Sequence, residues 1–151
     1  MLKKIVSGGQ TGVDRAALDA AIRMGIPHGG WIPKGRLTED GPLPERYHLD
    51  EMPTDSYPER TEKNVLDSDG TLIISRGAPQ GGTDYTRKMA LRHGKQMLHI
   101  DLSLHTNCLD AASLVSSWLR INNIETLNVA GPRASKDPEI YNEVLALLTH
   151  I

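Results

Sequence analysis

The sequence predicts an α/β fold in which a mainly parallel sheet of five strands is covered by helices on both faces. Strand-like and helix-like stretches alternate along the chain, and glycine-rich turns follow three of the strands. The 151 residues contain no phenylalanine, so aliphatic side chains and alanine must fill the core. Parallel strands need helical crossovers, which produce a three-layer sandwich. The length fits a single domain over residues 1–151.

The five predicted strands are short apolar runs that end near glycine or polar residues, and the third, GTLIIS, is the best candidate for a central strand. They are 4–7, 26–32, 70–75, 96–102 and 126–130. The second is the weakest, because Gly29 and Gly30 interrupt it. We expect the order 2-1-3-4-5, which places the first and third strands side by side; the alternative order 3-2-1-4-5 would separate them.

Five helices are predicted: the first, fourth and fifth from an apolar stripe with helical spacing, the second from a proline in its first turn, and the third from its closure by Gly94. They are 13–24, 58–67, 83–93, 110–122 and 138–151. Helix 13–24 has alanine at three stripe positions, so it can pack close to the sheet. Asp137 is the predicted N-cap of the last helix, with Pro138 at its first position.

Residues 33–56 form a long segment that is rich in proline, glycine and charge. A loop of this length in a compact domain is either functional or disordered. Both interpretations stay open, and Trp31 and Tyr47 favour an ordered loop. Lys34 is a candidate ligand-binding residue of a lid, although solvated charge is the simpler interpretation of this segment.

Composition excludes several classes of function. The net charge is −2 and no block of five like charges occurs, so we expect no nucleic-acid partner. No apolar run approaches the roughly 18 residues of a membrane span, and the apolar start is too short for a signal peptide. The single cysteine, Cys108, excludes an internal disulfide and a zinc site built from cysteines. We therefore expect a cytoplasmic protein without a metal site of its own.

Three glycine-rich turns follow the first, third and fifth predicted strands: GGQTG (8–12), GAPQGGT (77–83) and GPRAS (131–135). The carboxyl ends of parallel strands meet at one edge of the sheet, where ligands bind in open α/β folds. The first two turns lead into helix N-termini, whose free amides and dipole favour an anion. Glycine lets a ligand approach the backbone closely. The pattern therefore predicts a site for a phosphate-like anion.

The candidate binding residues supply backbone amides, hydroxyl donors and guanidinium groups that suit an oxyanion. They are Gly8, Gly9, Gln10, Thr11, Gly12, Arg15, Lys34, Arg76, Gly81, Gly82, Thr83 and Arg133. The first turn lacks Gly-Lys-Ser/Thr and does not match G-x-G-x-x-G. The usual ATP and NAD sites are therefore disfavoured.

Asp14 is the candidate catalytic residue, because it lies in the first helical turn beside the predicted ligand. The simpler interpretation is that its charge complements the helix dipole. A carboxylate there would repel a nearby phosphate, so it calls for a partner such as Arg15.

The run IVSGGQTGVDRAALD (5–19) resembles the start of the molybdenum cofactor carrier protein family. GGWIPKGR (29–36) with EDG (39–41) extends the resemblance, as do the matching positions between 60 and 73, GGT (81–83) and HGK (93–95). It runs from the first strand to about residue 101, and more loosely to the end.

The resemblance implies a Rossmann-like fold, akin to that of the lysine-decarboxylase-like nucleotide hydrolases, and homo-oligomers. It also implies binding of the molybdenum cofactor, a pterin with a terminal phosphate, for storage or delivery to molybdoenzymes. Trp31 is then a candidate for stacking on the pterin. Members of the family often have cysteine at the position of Ile32, so this chain offers no thiol ligand there.

Three functional hypotheses follow. A carrier needs no catalytic residue and is favoured, with the glycine turns holding the phosphate and Arg76 and Arg133 neutralising it. A nucleotide N-glycosidase, like the fold relatives, would use Asp14 as its acid or base. A nucleotide-binding protein without turnover is the third hypothesis.

Overall fold

The computed structural model describes residues 1–105 and 107–151. In chain order, its strands are Lys4–Val6 (β1), His28–Gly29 (β2), Trp31–Ile32 (β3), Leu37–Thr38 (β4), Gly41–Pro42 (β5), Asp50–Glu51 (β6), Gly70–Ser75 (β7), Gln96–Asp101 (β8) and Thr126–Ala130 (β9). The helices are Val13–Met24 (α1), Tyr57–Leu66 (α2), Gly81–Arg92 (α3), Cys108–Ile121 (α4) and Ile140–Leu148 (α5). None of the helices in these ranges combines the length and the apolar character that crossing a membrane requires.

The molecule is a three-layer sandwich around a five-stranded parallel sheet, which confirms the predicted fold class. Helices α1, α4 and α5 cover one face, where the alanine-rich stripe of α1 packs in the main core with residues such as Leu72 and Leu127. Helices α2 and α3 pack together on the other face, around Val65, Met89 and Ala90. The two faces are unlike: the first is apolar and the second carries polar side chains.

The order of the central sheet is β2-β1-β9-β7-β8. The predicted order 2-1-3-4-5 is wrong, because the last strand, β9, lies between the first and third predicted strands. Burial explains the difference. Leu127 and Val129 of β9 are fully buried, which is typical of a central strand in a parallel sheet, whereas β8 is only partly buried over most of its length and tolerates the edge.

The sheet has the dinucleotide-binding strand order in a permuted form. Counted from β9, the order of the strands becomes 3-2-1-4-5, with β9 as the first strand and β7 as the fourth. In such sheets the crossover connections change direction between the first and fourth strands, and ligands bind in the crevice outside that point. The topology therefore places a binding crevice at the carboxyl ends of β9 and β7.

The predicted second strand divides at Gly30. Its first part, β2, pairs with β1, and its second part, β3, leaves the sheet to pair with β6. Gly30 has φ +119°, and a Cβ there would lie 2.2 Å from the carbonyl oxygen of Ser7. Only glycine can make this bend so close to the backbone of the first strand.

Residues 33–56 pack against α1. Leu43, Tyr47 and Leu49 join Leu18 and Ile32 in a separate buried cluster. The guanidinium group of Arg36 donates hydrogen bonds to four carbonyl oxygens of residues 43–49. Of the two interpretations of this segment, the structure favours the ordered loop.

The last helix begins at Ile140, later than predicted, and its N-cap is Glu139. Asp137 is therefore not the N-cap. Its carboxylate instead accepts a hydrogen bond from Nε of Arg76 at 3.0 Å. The ion pair with a neighbouring turn replaces the capping interaction that the local sequence favours.

Candidate functional site

A cleft of about 850 Å³ opens at the carboxyl edge of β7 and β9, between the sheet and helices α2 and α3. All three glycine-rich turns contribute to it. From the predicted set it is lined by Gly8, Gln10, Asp14, Arg76, Gly81, Gly82, Thr83 and Arg133. The other predicted residues, Gly9, Thr11, Gly12, Arg15, Trp31 and Lys34, lie outside its lining.

The turn after β9 occupies the centre of the site, because β9 lies between β1 and β7. A Cβ at Gly131 would lie 2.3 Å from the carbonyl oxygen of Ile74 and 2.5 Å from Cγ2 of Val13. This turn is therefore packed directly against both neighbours. Gly9 and Gly82, which the predicted strand order placed side by side, belong to turns on either side of it.

The first turn uses most of its backbone amides within the protein. The amide of Gly9 donates to Oγ of Ser7 at 3.4 Å, and that of Gln10 donates to Oδ2 of Asp14 at 3.3 Å. The amide of Thr11 donates to Oε1 of Gln10 at 3.0 Å. A phosphate would have to displace these acceptors, so the first turn is a poorer anion site than its sequence suggests.

Thr11 and Gly12 connect the first turn to the third. Oγ1 of Thr11 accepts a hydrogen bond from the amide of Ala134 at 3.1 Å and donates to the carboxylate of Glu39. Gly12 lies against the same turn, since a Cβ there would be 2.4 Å from the carbonyl oxygen of Pro132. Glu39 also accepts from the amide and hydroxyl of Ser135. These contacts assign Thr11 and Gly12 to packing between turns.

Arg15 connects the first turn to the 33–56 segment. Its guanidinium donates to the carbonyl oxygen of Gly9 at 3.3 Å and forms an ion pair with Asp40 at 3.2 Å. It also lies over the ring of Tyr47, with 5.5 Å to the centroid. These interactions occupy Arg15, which was the partner expected for Asp14.

Trp31 and Lys34 lie away from the cleft. Nε1 of Trp31 donates to the carboxylate of Asp67 at 2.8 Å, and its backbone forms two hydrogen bonds with the side chain of Asn64. The indole is thus fixed against α2. Lys34 is exposed.

The second turn leaves two backbone amides open. Helix α3 begins at Gly81, and its N-cap residue, Gln80, makes no capping hydrogen bond through its side chain. Among the described residues, the amides of Gly81 and Gly82 have no acceptor. A Cβ at either glycine would meet no atom within 4 Å, so the space beside them is open. Open amides at a helix N-terminus in the wall of a cleft suit an anion.

The two predicted arginines of the cleft differ in their surroundings. Arg76 forms ion pairs with both Asp137 and Glu143, and its hydrogen bonds to these carboxylates raise its pKa. Arg133 is exposed at the cleft and, within residues 1–105 and 107–151, its side chain has no hydrogen-bond or ion-pair partner. Lys136 lines the cleft in the same way. Arg133 is therefore better placed than Arg76 to bind an added anion.

Asp14 is buried at the inner end of the first turn, with 8% of its surface exposed. Burial raises its pKa to about 6, although Arg60, the amide of Gln10, Arg15 and Arg133 each act to lower it. Arg60 and Asp14 approach Gly8 from the same side, because a Cβ at Gly8 would lie 2.4 Å from Nη1 of Arg60 and 3.0 Å from Oδ2 of Asp14. The guanidinium donates to the carbonyl oxygen of Gly8 at 2.7 Å. The carboxyl group can thus exchange a proton near neutral pH.

Sequence reasoning did not single out Arg60, Tyr57, Tyr85 or Asn128 as site residues, although all four line the cleft. For Asn128 a signal was available, because it is a polar residue in an otherwise apolar strand, TLNVA. Arg60 and Tyr57 belong to the first turn of α2, and only the packing of α2 on α3 brings them to the cleft. No group of three or more His, Cys, Asp or Glu side chains in the described part of the chain could hold a metal ion.

The permuted strand order defines a Rossmann-like protein, and the cleft at its switch point is a candidate ligand site. The chain belongs to the Circularly permutated YpsA SLOG family, which matches residues 5–151. The permutation in that description agrees with the strand order counted from β9.

One solved structure is similar over nearly the whole chain. It is the crystal structure of a "putative molybdenum carrier protein" from Syntrophus aciditrophicus SB, which shares 57% sequence identity and superposes with a TM-score of 0.96. The similarity covers 99% of this chain and 95% of that one. None of the curated proteins matches this chain. The resemblance to the molybdenum carrier family and the Rossmann-like fold are confirmed.

Proposed function

We propose that this protein binds a phosphate-bearing small molecule in the cleft, with the phosphate at the amides of Gly81 and Gly82 and beside Arg133. The observation that carries this proposal is the pair of open amides at the N-terminus of α3, at the switch point of the sheet. The cleft volume of about 850 Å³ lies within the range of ligand pockets. Thr83, which lines the cleft in the same helical turn, adds a hydroxyl group.

The proposed ligand is the molybdenum cofactor, bound as cargo for storage or delivery. The similarity to a protein named as a molybdenum carrier supports this choice. The site fits the phosphate and the ring system better than it fits the metal. No cysteine lines the cleft, and Ile32, at the position where the family often has cysteine, is buried in the cluster behind α1. In this role the protein would work in the cytoplasm, as a homo-oligomer that serves molybdoenzymes.

Mass spectrometry of the protein purified under mild, anaerobic conditions tests the identity of the ligand, by measuring released small molecules and metals together. We expect molybdopterin with molybdenum. Recovery of a nucleotide instead would contradict the cargo proposed here and favour a nucleotide-binding function. Recovery of phosphate alone would likewise count against molybdopterin.

Arg133→Ala is expected to weaken binding of a phosphate-bearing ligand about 10- to 100-fold, because a charge-assisted hydrogen bond is lost. Isothermal titration calorimetry with inorganic phosphate and adenosine 5′-monophosphate measures the change. Lys34→Ala is the matched control, since it removes an exposed cation outside the cleft lining. Equal affinities for wild type and Arg133→Ala would exclude the phosphate position proposed here.

A nucleotide N-glycosidase is the second candidate, and two observations favour it. The permuted order 3-2-1-4-5 is that of dinucleotide-binding sheets, and Asp14 presents to the cleft a carboxyl group whose pKa is raised to about 6. Such a group can accept a proton from the water whose oxygen attacks C1′ of the ribose; the N-glycosidic bond breaks, and the base leaves with the bonding electron pair and takes up a proton. The products would be a free base and ribose 5-phosphate.

Asp14→Asn tests this enzymatic function. If Asp14 is the base, the variant should lose at least about 100-fold in rate of base release, the contribution usual for a general base. Chromatography of the free base after incubation with nucleoside monophosphates provides the measurement. Unchanged release by the variant would remove Asp14 from the mechanism, and no release by the wild type would leave the binding function alone.

A further inference from the structure

Two polar side chains at the inner wall of the cleft are more than nine-tenths buried and keep an oxygen without a partner. Asn128 is 3% exposed and Asp14 is 8% exposed, and both line the cleft. Neither residue has a structural role that uses all of its polar atoms. Both oxygens reach the open space of the cleft, because no fully buried side-chain nitrogen or oxygen in the described residues lacks a hydrogen-bond partner. They are therefore available to a ligand that supplies donors.

Asn128 lies in β9 on the sheet face that carries α2 and α3. Its neighbours Leu127 and Val129 point into the main core on the opposite face. Nδ2 of Asn128 donates to Oγ1 of Thr71 at 3.2 Å. Over residues 1–105 and 107–151, Oδ1 accepts no hydrogen bond, and it is not among the fully enclosed unpaired atoms. The carboxamide oxygen is therefore open to the cleft.

Asp14 presents a second open acceptor. Oδ2 accepts the amide of Gln10 at 3.3 Å, whereas Oδ1 has no hydrogen-bond donor in the described part of the chain. Within those residues Arg60 acts on Asp14 through its charge without forming an ion pair, and its Nη1 donates to the carbonyl oxygen of Gly8. Asp14 follows β1 in the chain, and Asn128 lies in β9, the strand next to β1.

The character of these two atoms limits what can bind there. Both are acceptors, and one belongs to an acid that is largely ionised at neutral pH. A phosphate offers only acceptor oxygens and so supplies neither of these two atoms with a donor. Hydroxyl or N–H groups would be bound, because they supply the missing donors. The inner wall therefore differs in chemistry from the mouth formed by Gly81, Gly82 and Arg133.

We propose that Asp14 and Asn128 form a donor-binding subsite, which holds hydroxyl or ring N–H groups of the ligand whose phosphate lies at the N-terminus of α3. The proposal rests on the proposed function and orients its ligand. Asn128 lies in β9, next to β7, and Asp14 follows β1, one strand further away, so strand spacing places the two residues about 5 and 10 Å from β7 across the sheet. Two ligand types carry donors at such a distance from a phosphate: a nucleotide through its sugar diol or base, and a pterin phosphate through its ring edge.

Calorimetric titration with four probes tests the subsite: inorganic phosphate, adenosine 5′-monophosphate, its 2′,3′-dideoxy analogue and a pterin phosphate. We expect at least one of the donor-bearing ligands to bind more than about 10-fold tighter than phosphate. Asp14→Asn and Asn128→Leu should each weaken that ligand about 10-fold and leave the affinity for inorganic phosphate unchanged. Asp110→Asn is the matched control, because Asp110 is exposed in the first turn of α4 and lies outside the cleft lining.

The pattern of affinities identifies the donor. Weaker binding of the dideoxy analogue than of adenosine 5′-monophosphate supports a sugar diol, and tight binding of the pterin phosphate supports ring N–H groups. The subsite is wrong if both variants bind every probe as the wild type does, or if no donor-bearing probe binds tighter than phosphate. Failure of the proposed phosphate position is seen separately, as wild-type affinity in Arg133→Ala. If Asn128→Leu does not fold, the wild-type affinities for the donor-bearing probes and for inorganic phosphate still test the subsite.

Discussion

Replacing Gly12 with alanine will lower the free energy of unfolding by about 4 kcal/mol. Gly12 is the N-cap of α1, with φ 78° and ψ −128°, a conformation that residues with a Cβ adopt only under strain. The added Cβ would lie 2.4 Å from the carbonyl oxygen of Pro132 and 2.9 Å from the amide nitrogen of Ala134. Both neighbours are backbone atoms of the third turn, so the strain cannot be relieved by moving a flexible side chain.

Gly25→Ala is the matched control for this effect. Gly25 ends the same helix with φ +68°, and a Cβ there would meet nothing within 4 Å. Its replacement should cost only about 1 kcal/mol, the penalty of the left-handed conformation itself. Urea denaturation of both variants measures the difference. Similar losses in the two variants would show that contact with the third turn does not determine the need for glycine at position 12.

Asp14→Asn will stabilise the protein at neutral pH. Burial raises the pKa of Asp14 from its ordinary value of 3.8 to about 6, so the folded state binds a proton more readily than the unfolded state between these values. Ionisation of the buried carboxyl therefore costs up to about 3 kcal/mol of stability above pH 6. This cost is absent below pH 3.8, where the group is protonated in both states.

The pH dependence of the difference provides the test. We expect Asp14→Asn to exceed the wild type in unfolding free energy by up to about 3 kcal/mol at pH 7.5, with the gain shrinking toward zero as the pH falls to 4. Asp84→Asn should show the opposite sign, because hydrogen bonds and ion pairs with Arg87 and Lys88 lower the pKa of Asp84. A constant gain for Asp14→Asn at all pH values would contradict the raised pKa.

The expected gain also bears on the role of Asp14. Ligand sites often contain groups that reduce the stability of the folded protein, because function requires them there. A carboxyl group that destabilises the fold at neutral pH is such a group. The donor-binding subsite and the glycosidase hypothesis both give the group a function. The sequence was enough to identify Asp14 as a candidate site residue, because it follows a glycine turn. The sequence could not predict that Asp14 is buried beside Gly8 and Arg60, because Arg60 comes from another helix.

In the candidate site, too, some features could be predicted from the local sequence pattern and others depend on tertiary contacts. Glycine turns after three strands were enough to locate the cleft, because the carboxyl ends of parallel strands share one edge. They were not enough to rank the turns as anion sites. The amides of Gly9, Gln10 and Thr11 are occupied by side chains within the protein, whereas those of Gly81 and Gly82 have no acceptor among residues 1–105 and 107–151.

The sequence by itself determined the five helices, the approximate positions of the five central strands, the α/β class and the edge at which the cleft lies. Hydrophobic periodicity and turn glycines are local properties, and local steric and burial requirements decide them. The tertiary structure alone decided the strand order and the chemistry of the site. Insertion of β9 between β1 and β7 depends on which strands can be fully buried together. The open amides, Arg133 and the two buried acceptors follow from contacts between residues that are distant in the chain.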